Sequence, residues 1–435
     1  MNDLLALPAA PYHLLAERFG TPLYVYDAHR LEASFAAAQQ VVGPDTPIYF
    51  SLKANPNISI YAVLRAAGAR AEVSSLAELT TVLRAGTPAE DILFLGPGKS
   101  EKEIRVCLAH GVRLVVESLS ELDVIDLAAA GMGVRAAVLL RVNPSFQVKG
   151  SGLTMGGAPR QFGIDEEILL RPLNLRRRWS AVRVVGVHAY MGTRMLAAPS
   201  IIANTHQILA LATRIAAVQG FEPELIDVGG GWGVPYFEGE SPLDLAELEV
   251  GMRAVLADFR RDHPHTTVAT ELGRFLTGPS GVYVTRVRWV KTSLGQRFAV
   301  TDGGTNHHMA AVGIGSFVKR NFPVEVLGRD SAVAAVAGDE ELEEWTVTGP
   351  LCTPNDTLVR KVQLPPLAPG DLLGIRQSGA YGPSASPGHF LSHGFPAEVL
   401  VRGDRADLIA EPETTTQILA RQILSPLAAP APVAR

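Results

Sequence analysis

The side chain with the most reactive chemistry lies at the end of a short apolar run. The run Ile48–Ser51 predicts a strand, and Lys53 follows it just before a turn at Asn55-Pro56. A lysine is costly at the end of a buried strand unless something uses its amine. A desolvated lysine amine can lose its proton and form a Schiff base with an aldehyde or carbonyl. On this segment alone, a lysine that reaches solvent from the strand end is an equally good interpretation.

Short apolar runs alternate with amphipathic helical patterns along the first part of the chain. Strands are predicted at residues 48–51, 71–73, 92–95, 113–116, 136–141, 182–188, 225–228 and 267–271. This alternation favours an α/β fold with a closed parallel (β/α)8 barrel over an open doubly wound sheet. In a barrel the C-terminal strand ends share one face, where active sites form. Those ends carry Lys53, Glu72, Glu117, Arg141, His188, Tyr190, Gly229, Gly230, Gly231, Glu271 and Arg274.

The loops after the last two barrel strands have the composition of a phosphate site. Glycines 229–231 follow the seventh strand, and Gly273 and Arg274 follow the eighth. Glycine lets backbone N–H groups approach an anion, and arginine binds it through a fork of donors. A lysine, a phosphate cradle and Glu271 together indicate pyridoxal 5′-phosphate, with the acid at the pyridine nitrogen. A structural salt bridge between Glu271 and Arg274, and a core position for Tyr190, remain open alternatives.

The pattern changes near residue 285. The strand-like runs become short and are separated by Gly/Pro turns, which predicts a mostly β second domain. We predict a cofactor-binding barrel over residues 25–285 and a β-rich domain over 286–425 joined by residues 1–24. Residues 426–435 form an Ala/Pro-rich tail that we expect to be disordered. The Gly-rich segment 149–163 is expected to be a loop over the mouth of the barrel.

Bulk composition is that of a soluble globular enzyme. The 435 residues include 47% apolar and 19% charged residues, with a net charge of −5. We therefore expect no nucleic-acid or membrane partner. Cys107 and Cys352 are too few for a disulfide framework, and no spacing indicates a metal site. The N-terminus lacks the pattern of a signal peptide, so we expect a cytoplasmic location.

Several motifs identify a family. They are Tyr49–Asn55, Gly186–Thr193, Asp227–Gly231, Glu271–Arg274, Gly349–Cys352 and Ser378–Gly382. With these motifs the chain resembles the fold-type III pyridoxal-phosphate decarboxylases, the group of diaminopimelate, ornithine and lysine decarboxylases, over about residues 20–405. The resemblance implies the alanine racemase-like architecture of barrel plus β-rich domain. It also implies a head-to-tail homodimer with two shared active sites.

The resemblance assigns roles residue by residue. Lys53 carries the cofactor, Glu271 holds its ring nitrogen, and Cys352 reaches across the dimer interface to supply a proton after decarboxylation. The further cofactor-binding positions are Glu72, Arg141, Tyr190, Thr193, Gly229, Gly230, Gly231, Gly273, Arg274 and Tyr381. The substrate-binding positions are His188, Thr353 and Asp356. From the residues alone, Cys352 is equally well a buried inert thiol.

Departures from the family pattern concern the substrate. Tyr190 stands where a histidine usually stacks on the cofactor, and the region 306–311 lacks the arginine that binds a distal carboxylate. Thr353 replaces the acid that holds a distal ammonium. The motifs 155–163, 351–354 and 386–390 are most similar to the butirosin-pathway branch, which acts on a glutamyl group tethered to an acyl carrier protein.

These features leave alternative functions. The first is decarboxylation of a carrier-tethered amino acyl group in natural-product biosynthesis, and the second is decarboxylation of a free amino acid. A non-catalytic regulatory homologue is disfavoured because Lys53 and Cys352 are both present. A racemase is disfavoured because an acid, Glu271, stands where racemases of this fold place arginine. A basic patch for an acidic carrier is expected at Arg176–Arg178 or at Lys149 and Arg160, although a charge run is more often a solvated face.

Overall fold

The computed structural model describes residues 11–147, 153–154, 156–237, 239–312, 320–328, 342–425 and 427. Residues 149–152 and 155 of the predicted mouth loop, and residues 426 and 428–435 of the predicted tail, lie outside these ranges. The described residues divide into two compact units. The first unit holds residues 27–281 and 377–384, and the second holds residues 11–26, 282–376 and those from 385 onward.

The strands and helices are numbered along the chain. The strands are β1 Leu23–Asp27, β2 Ile48–Ser51, β3 Arg70–Val73, β4 Ile92–Phe94, β5 Arg113–Val116, β6 Ala136–Asn143, β7 Leu153–Thr154, β8 Ile164–Asp165, β9 Val182–His188, β10 Gly192–Thr193, β11 Leu225–Gly230, β12 Thr267–Leu272, β13 Gly281–Ser293, β14 Gln296–Thr301, β15 Val324–Leu327, β16 Glu343–Thr348, β17 Thr357–Leu364, β18 Leu372–Ile375, β19 Ala397–Arg402 and β20 Arg405–Ala410. The helices are α1 Tyr12–Phe19, α2 Ala28–Val42, α3 Ile58–Ala66, α4 Leu76–Arg84, α5 Glu101–His110, α6 Leu119–Met132, α7 Glu166–Leu169, α8 Leu175–Arg178, α9 Ala198–Gln219, α10 Leu245–Asp262, α11 Arg274–Thr277 and α12 Thr415–Leu419.

The first unit is a closed parallel barrel. Its strands follow the order β5-β4-β3-β2-β12-β11-β9-β6, and β6 pairs with β5 to complete the ring. The predicted (β/α)8 barrel is therefore confirmed, and each predicted strand is present. Side chains such as Tyr49, Leu93, Leu139 and Val185 fill the barrel interior and exclude water from it. This packed core leaves the C-terminal strand ends as the place for a ligand.

Helix caps fix where the chain leaves each barrel strand. Ser75, Ser100 and Ser118 accept hydrogen bonds from backbone N–H groups at the starts of α4, α5 and α6. At α5 the Glu103 carboxylate returns a hydrogen bond to the Ser100 backbone, which completes a capping box. Capping satisfies donors that would otherwise be unpaired, and it sets the direction of the loops that follow β3, β4 and β5.

The second unit is mostly β, as the sequence predicts. One sheet runs in the order β17-β16-β14-β13-β1-β19-β20, and β18 pairs with both β13 and β15. The predicted boundaries of the two domains remain predictions, with one correction. Residues 377–384, which the sequence-based division assigns to the C-terminal domain, belong to the first unit. The Tyr381 N–H donates to the Ala54 carbonyl at 2.7 Å, and the Asn55 amide donates to the Gly379 carbonyl at 3.1 Å.

One described helix has the length and hydropathy of a membrane span. Helix α9 has 22 residues and a mean hydropathy of 1.3 over its most apolar window. Half of that window is buried in the protein, and the helix packs against β9, β11 and α10. The buried apolar face is that of a barrel helix, so the pattern alone is weak evidence for a membrane.

Candidate active site

A cavity of about 500 Å³ opens at the C-terminal ends of the barrel strands. Every residue that lines it belongs to the first unit. The lining consists of Lys53, Glu72, Ser74, Phe94, Leu95, Gly96, Pro97, Gly98, Lys99, Glu103, Arg141, Phe162, Tyr190, Thr193, Glu271, Arg274 and Tyr381. The predicted convergence of polar side chains is thus observed for residues at the C-terminal ends of β2, β3, β6, β9 and β12.

Lys53 lies between two acidic strand ends. Its Nζ is 3.2 Å from Oε2 of Glu72, which is almost fully buried, while the lysine side chain is 41% exposed toward the cavity. Burial alone would lower the pKa of Lys53, but the carboxylates of Glu72 and Glu271 outweigh it and raise the pKa well above its ordinary value. The lysine is therefore held as an ammonium ion and is not neutralised by desolvation, which corrects the sequence-based expectation.

Glu271 contributes a buried carboxylate to the cavity wall. Its Oε1 lies 3.2 Å from His188 Nε2, and both side chains are fully buried. Burial raises the pKa of Glu271, but His188, Lys53 and Arg141 more than compensate and lower it to about 2. Neither Glu271 oxygen makes a hydrogen bond with good geometry to a residue in the described ranges. An ionised carboxylate without a donor is a strong acceptor for an N–H group of a ligand.

The glycine loop after β11 packs closely against the backbone of neighbouring segments. A Cβ on Gly230 would overlap the Glu271 carbonyl oxygen, and Gly229 has a φ of +66°. Arg274 lies nearby, with its guanidinium 4.6 Å from the Tyr381 ring centre and 2.8 Å from the Tyr236 hydroxyl. Backbone N–H groups, a guanidinium and a phenol are the donors that bind phosphate.

Gly273 has a packing role at this site. A Cβ there would lie 2.9 Å from the Ala54 side chain and 3.2 Å from that of Ser51. Only glycine lets the turn after β12 pack this closely against the turn that carries Lys53. This close packing fixes the distance between Lys53 and the turn that carries Arg274.

Arg141 is tied into the far wall of the cavity. Its guanidinium lies 2.7 Å from Glu117 and 4.8 Å from the Phe162 ring centre. Glu117 also accepts hydrogen bonds from the backbone N–H groups of Gly96 at 3.2 Å and Gly163 at 3.0 Å. One buried carboxylate therefore joins three loops that form the mouth.

Tyr190 faces Lys53 across the cavity. The lysine Nζ lies 5.5 Å from the Tyr190 ring centre. Burial raises the pKa of the Tyr190 phenol to about 12, so the ring is neutral at physiological pH. The ring lines the cavity, which favours the predicted stacking role over the alternative of a core position.

Three predicted site residues are not among those that line this cavity. Cys352, Thr353 and Asp356 belong to the second unit, where Cys352 is exposed. The Asp356 carboxylate is buried and accepts hydrogen bonds from the backbone of Thr305 and Leu351, both at 2.7 Å. This arrangement argues against the predicted substrate contact of Asp356 and indicates that it shapes the loop that carries Cys352.

Two other predictions also need correction. His188 is fully buried and does not line the cavity, so a direct substrate contact is not supported. The arginines Arg176–Arg178 form α8, which precedes the N-terminal end of β9. The cavity lies at the other end of this strand, about 20 Å away for seven residues. The arginine run therefore cannot be a patch at the mouth.

Sequence reasoning missed several residues of the site. Tyr236 follows an irregular segment with no periodicity, so nothing in the pattern predicts its contact with Arg274. Asp227 belongs to a family motif, but its contact with His188 depends on the β9–β11 register, which the sequence does not show. Glu117 was found at a strand end, and pairing it with Arg141 would have required knowledge of the β5–β6 register.

Comparison with known proteins agrees with this geometry. The family model "Pyridoxal-dependent decarboxylase, pyridoxal binding domain" matches residues 28–278. The L-glutamyl-[BtrI acyl-carrier protein] decarboxylase of Niallia circulans is 38% identical over 96% of this chain and 97% of its own length. The diaminopimelate decarboxylase of Methanothermobacter thermautotrophicus is 30% identical, covering 94% and 93%. The Helicobacter pylori diaminopimelate decarboxylase complexed with L-lysine has a TM-score of 0.83 at 28% identity, covering 94% and 98%.

A lysine, a buried carboxylate and a phosphate cradle at the mouth of this barrel define a pyridoxal-phosphate enzyme of alanine racemase-like fold. The chain belongs to the pyridoxal-dependent decarboxylase family and is a carboxy-lyase that uses pyridoxal 5′-phosphate. The residues fit this cofactor. Neither Glu271 oxygen accepts a hydrogen bond of good geometry from a described residue, although His188 Nε2 lies 3.2 Å from Oε1, and Arg274 and Tyr381 line the cavity beside Lys53.

Proposed function

We propose that this enzyme removes the α-carboxylate of an amino acyl group tethered to an acyl carrier protein. The observation that carries the proposal is the charge balance of the cavity wall. A free amino acid with a distal carboxylate, such as glutamate or diaminopimelate, needs a cation at its far end, whereas an acyl group attached to a carrier does not. The proposal therefore depends on whether the wall offers an unpaired charge in the right place.

The cations of the described lining already have partners. Lys53 pairs with Glu72 at 3.2 Å, Arg141 with Glu117 at 2.7 Å, and Lys99 with Glu121 at 2.7 Å. The remaining cation, Arg274, contacts Tyr236 in the predicted phosphate region. Within the described lining, no cation is left to bind a distal carboxylate. Binding energy would come instead from the arm and the carrier surface.

The relatives support the same choice without deciding it. The Niallia circulans protein, 38% identical, is named for a glutamyl group on an acyl carrier protein. The alternative is a free amino acid, as in the diaminopimelate decarboxylases, which are about 30% identical. Two features weigh against that alternative: the region 306–311 lacks the arginine that binds a distal carboxylate, and Thr353 replaces the acid that binds a distal ammonium.

The residues of the cavity have distinct tasks. When bound, pyridoxal phosphate supplies an electron sink for the electron pair left at Cα as CO2 departs. Lys53 would hold the cofactor, and Glu271 would keep the pyridine nitrogen protonated. The glycine loop and Arg274 would bind the phosphate, and the neutral ring of Tyr190 would lie against the cofactor face. Arg141 and Phe162 would shape the side from which the substrate enters.

A proton must reach Cα after CO2 departs. We propose that Cys352 supplies it in the active site of a partner subunit, so that the enzyme is a homodimer with shared sites. The thiol is exposed, and the buried Asp356 holds its loop through the Leu351 N–H. The two free cysteines are consistent with the predicted reducing, cytoplasmic environment, and a natural-product pathway remains our expectation.

Carrier proteins are generally acidic, so basic side chains near the mouth would attract them. Arg160 is exposed and lies two residues before Phe162, which lines the cavity. Lys102 is exposed on the first turn of α5, next to the lining residue Glu103. We propose these two side chains as the carrier contacts, in place of the arginines of α8.

The proposal is tested by comparing substrates directly. Mass spectrometry should follow CO2 loss from free glutamate, ornithine, lysine and diaminopimelate, and from a carrier protein loaded with each acyl group. We expect kcat/KM to be far higher for a loaded carrier. Turnover of a free diamino acid at about 10⁴ M⁻¹s⁻¹ or more, with no gain from the carrier, would establish the alternative. Arg160→Glu should raise KM for the carrier, with Arg177→Glu on the opposite face as the matched control.

A further inference from the structure

Three ionisable side chains meet below the cavity floor. His188 on β9, Asp227 on β11 and Glu271 on β12 are each at most 1% exposed. Their potential ligand atoms all lie within 4.8 Å of one another. Burying three such groups together is expensive unless their charges and hydrogen bonds are matched. Such a buried cluster therefore suggests a functional role.

Strand register explains why these residues meet. His188 and Asp227 are direct neighbours in the β9–β11 pairing, so their side chains point to the same side of the barrel wall. The β11–β12 pairing shifts register between Asp227 and Gly230, and this irregularity brings Glu271 next to Gly230. The Asp227 Oδ1 accepts a hydrogen bond from the Gly229 N–H at 2.9 Å. Asp227 therefore connects the cluster to the first residue of the glycine loop.

Only one member of the cluster lines the cavity. Glu271 lines the cavity, whereas His188 and Asp227 lie behind it and line no part of the cavity wall. His188 Nε2 lies 3.2 Å from Glu271 Oε1. His188 Nδ1 and Asp227 Oδ2 find no hydrogen-bond partner among the residues that the structure describes. The two hidden groups can influence a ligand only through Glu271 or through the glycine loop.

The charges within the cluster are unequal. His188 helps to lower the pKa of Glu271 to about 2, so this carboxylate is ionised. Burial and the nearby Glu271 charge raise the pKa of Asp227 well above its ordinary range. Two carboxylates this close do not both ionise readily. The cluster thus carries one carboxylate charge, and this charge is on the residue that faces the cavity.

We infer that His188 and Asp227 are positioning residues that hold Glu271 as an ionised carboxylate facing the cofactor ring nitrogen. His188 orients and stabilises the Glu271 charge. Asp227 fixes the glycine loop to the same cluster, so that the ring end and the phosphate end of the site move together. The inference rests on the pyridoxal-phosphate site and is independent of whether the substrate is free or tethered to a carrier.

The test measures cofactor affinity and needs no substrate. The apoprotein is titrated with pyridoxal phosphate and with its analogue in which a carbon replaces the ring nitrogen. Both ligands keep the aldehyde and the phosphate, so their affinity ratio isolates the contact between Glu271 and the nitrogen. We expect the native protein to prefer pyridoxal phosphate by on the order of tenfold or more, as for a charge-assisted hydrogen bond.

The variants distinguish positioning from general stability. His188→Leu should abolish the preference while leaving the affinity for the carbon analogue within about twofold, because only the contact to the nitrogen is lost. His188→Gln keeps an N–H donor and should restore part of the preference. Asp227→Asn should keep the preference because an amide resembles the neutral acid. Asp227→Ala should lower the affinity for both ligands because it loosens the glycine loop. Thr205→Val, a buried change on α9, is the control.

Specific results would overturn the inference. An unchanged preference in folded His188→Leu would show that Glu271 does not depend on His188. An equal loss of affinity for both ligands in His188→Leu would show a merely structural role. If His188→Leu does not fold, as judged by circular dichroism, His188→Phe replaces it with the same expectations. The side chains of His188, Asp227 and Glu271 could also bind a divalent cation. A change in the native protein's cofactor affinity after chelator treatment would therefore contradict the inference that His188 and Asp227 act on Glu271 without a metal.

Discussion

Lys53 Nζ lies 3.2 Å from Glu72 Oε2, and this ion pair joins the ends of two neighbouring barrel strands. On its other side, β2 pairs with β12, which carries Glu271. The lysine is therefore held between two carboxylates and remains protonated until a ligand enters. Attachment of a carbonyl compound requires the amine to release its proton, and Glu72 is the nearest group that could accept it.

Glu117 should be essential for the mouth of the cavity. It pairs with Arg141 at 2.7 Å, and both side chains are at most 8% exposed. Removing one partner of a buried ion pair typically costs about 3–5 kcal/mol, because the other charge remains buried and unpaired. We expect Glu117→Ala to lower the free energy of unfolding by about this amount in urea titrations.

A surface ion pair provides the control for Glu117. Glu101 pairs with Arg105 at 2.7 Å on α5, where the side chains are 61% and 46% exposed. Glu101→Ala should change stability by less than about 1 kcal/mol. Similar losses in Glu101→Ala and Glu117→Ala would contradict a special role for the buried pair.

Gly230 should tolerate no side chain. A Cβ there would overlap the carbonyl oxygen of Glu271 and come within 3.0 Å of the Leu272 side chain. We expect Gly230→Ala to push β11 away from β12 and to abolish cofactor binding, as measured by equilibrium dialysis. Gly131 on α6 has open space around it, and Gly131→Ala should leave binding intact while adding up to about 1 kcal/mol of stability. Tight cofactor binding in Gly230→Ala would show that the cradle is not required.

Acid should destabilise the second unit through a buried histidine. Burial lowers the pKa of His308 from 6.5 to about 3, and the rings of Tyr24, Tyr283 and Phe322 surround it. Because the folded pKa is depressed, the unfolded chain binds the proton more readily. The stabilisation is complete above pH 6.5 and is lost as the pH falls toward 3.

In urea titrations, protonation linked to His308 should lower the free energy of unfolding by about 2 kcal/mol as the pH falls from about 7.5 to about 5. His308→Phe should remove that part of the pH dependence, since phenylalanine does not titrate. His110→Asn, an exposed change on α5, serves as the control and should leave the pH dependence as it is. An identical pH profile in His308→Phe and the native protein would mean that His308 does not titrate as its burial implies.

Hybrid dimers should reveal whether active sites are shared. Lys53→Ala and Cys352→Ala subunits, each severely impaired alone, are mixed after reversible dissociation. A hybrid dimer contains one site with both residues intact, so up to about half of the native activity per hybrid should return if Cys352 acts across the interface. Purified hybrids that remain as inactive as their parents would show that each site is built from a single chain.

Much of the barrel was predictable because its strands carry continuous apolar runs. Lys53 follows β2, and Glu72 and Glu271 are the second-last residues of β3 and β12, so the fold class alone brings them to one face. Periodicity gives no sign that residues 377–384 belong to the first unit, because their placement depends on hydrogen bonds such as Tyr381 to Ala54, and only the family motif Ser378–Gly382 points to the cofactor site.

Charged residues were harder to interpret than apolar ones. Asp356 and the α8 arginines carry charges that suit a binding site, yet Asp356 binds two backbone amides and α8 lies at the opposite end of β9. Burial and strand direction decide such cases, and neither can be derived from residue type. The ion pair that keeps Lys53 protonated was missed for the same reason, since its partner is set by the β2–β3 register.

The most direct test of the account is borohydride reduction of the purified, cofactor-loaded protein followed by peptide mapping. We predict a yellow protein whose absorption band disappears on reduction, with the reduced pyridoxyl phosphate group found on the peptide that contains Lys53. Lys53→Ala should show no such labelled peptide and almost no decarboxylase activity. Labelling of a different lysine, or native activity in Lys53→Ala, would contradict the assignment of this cavity as the pyridoxal-phosphate site.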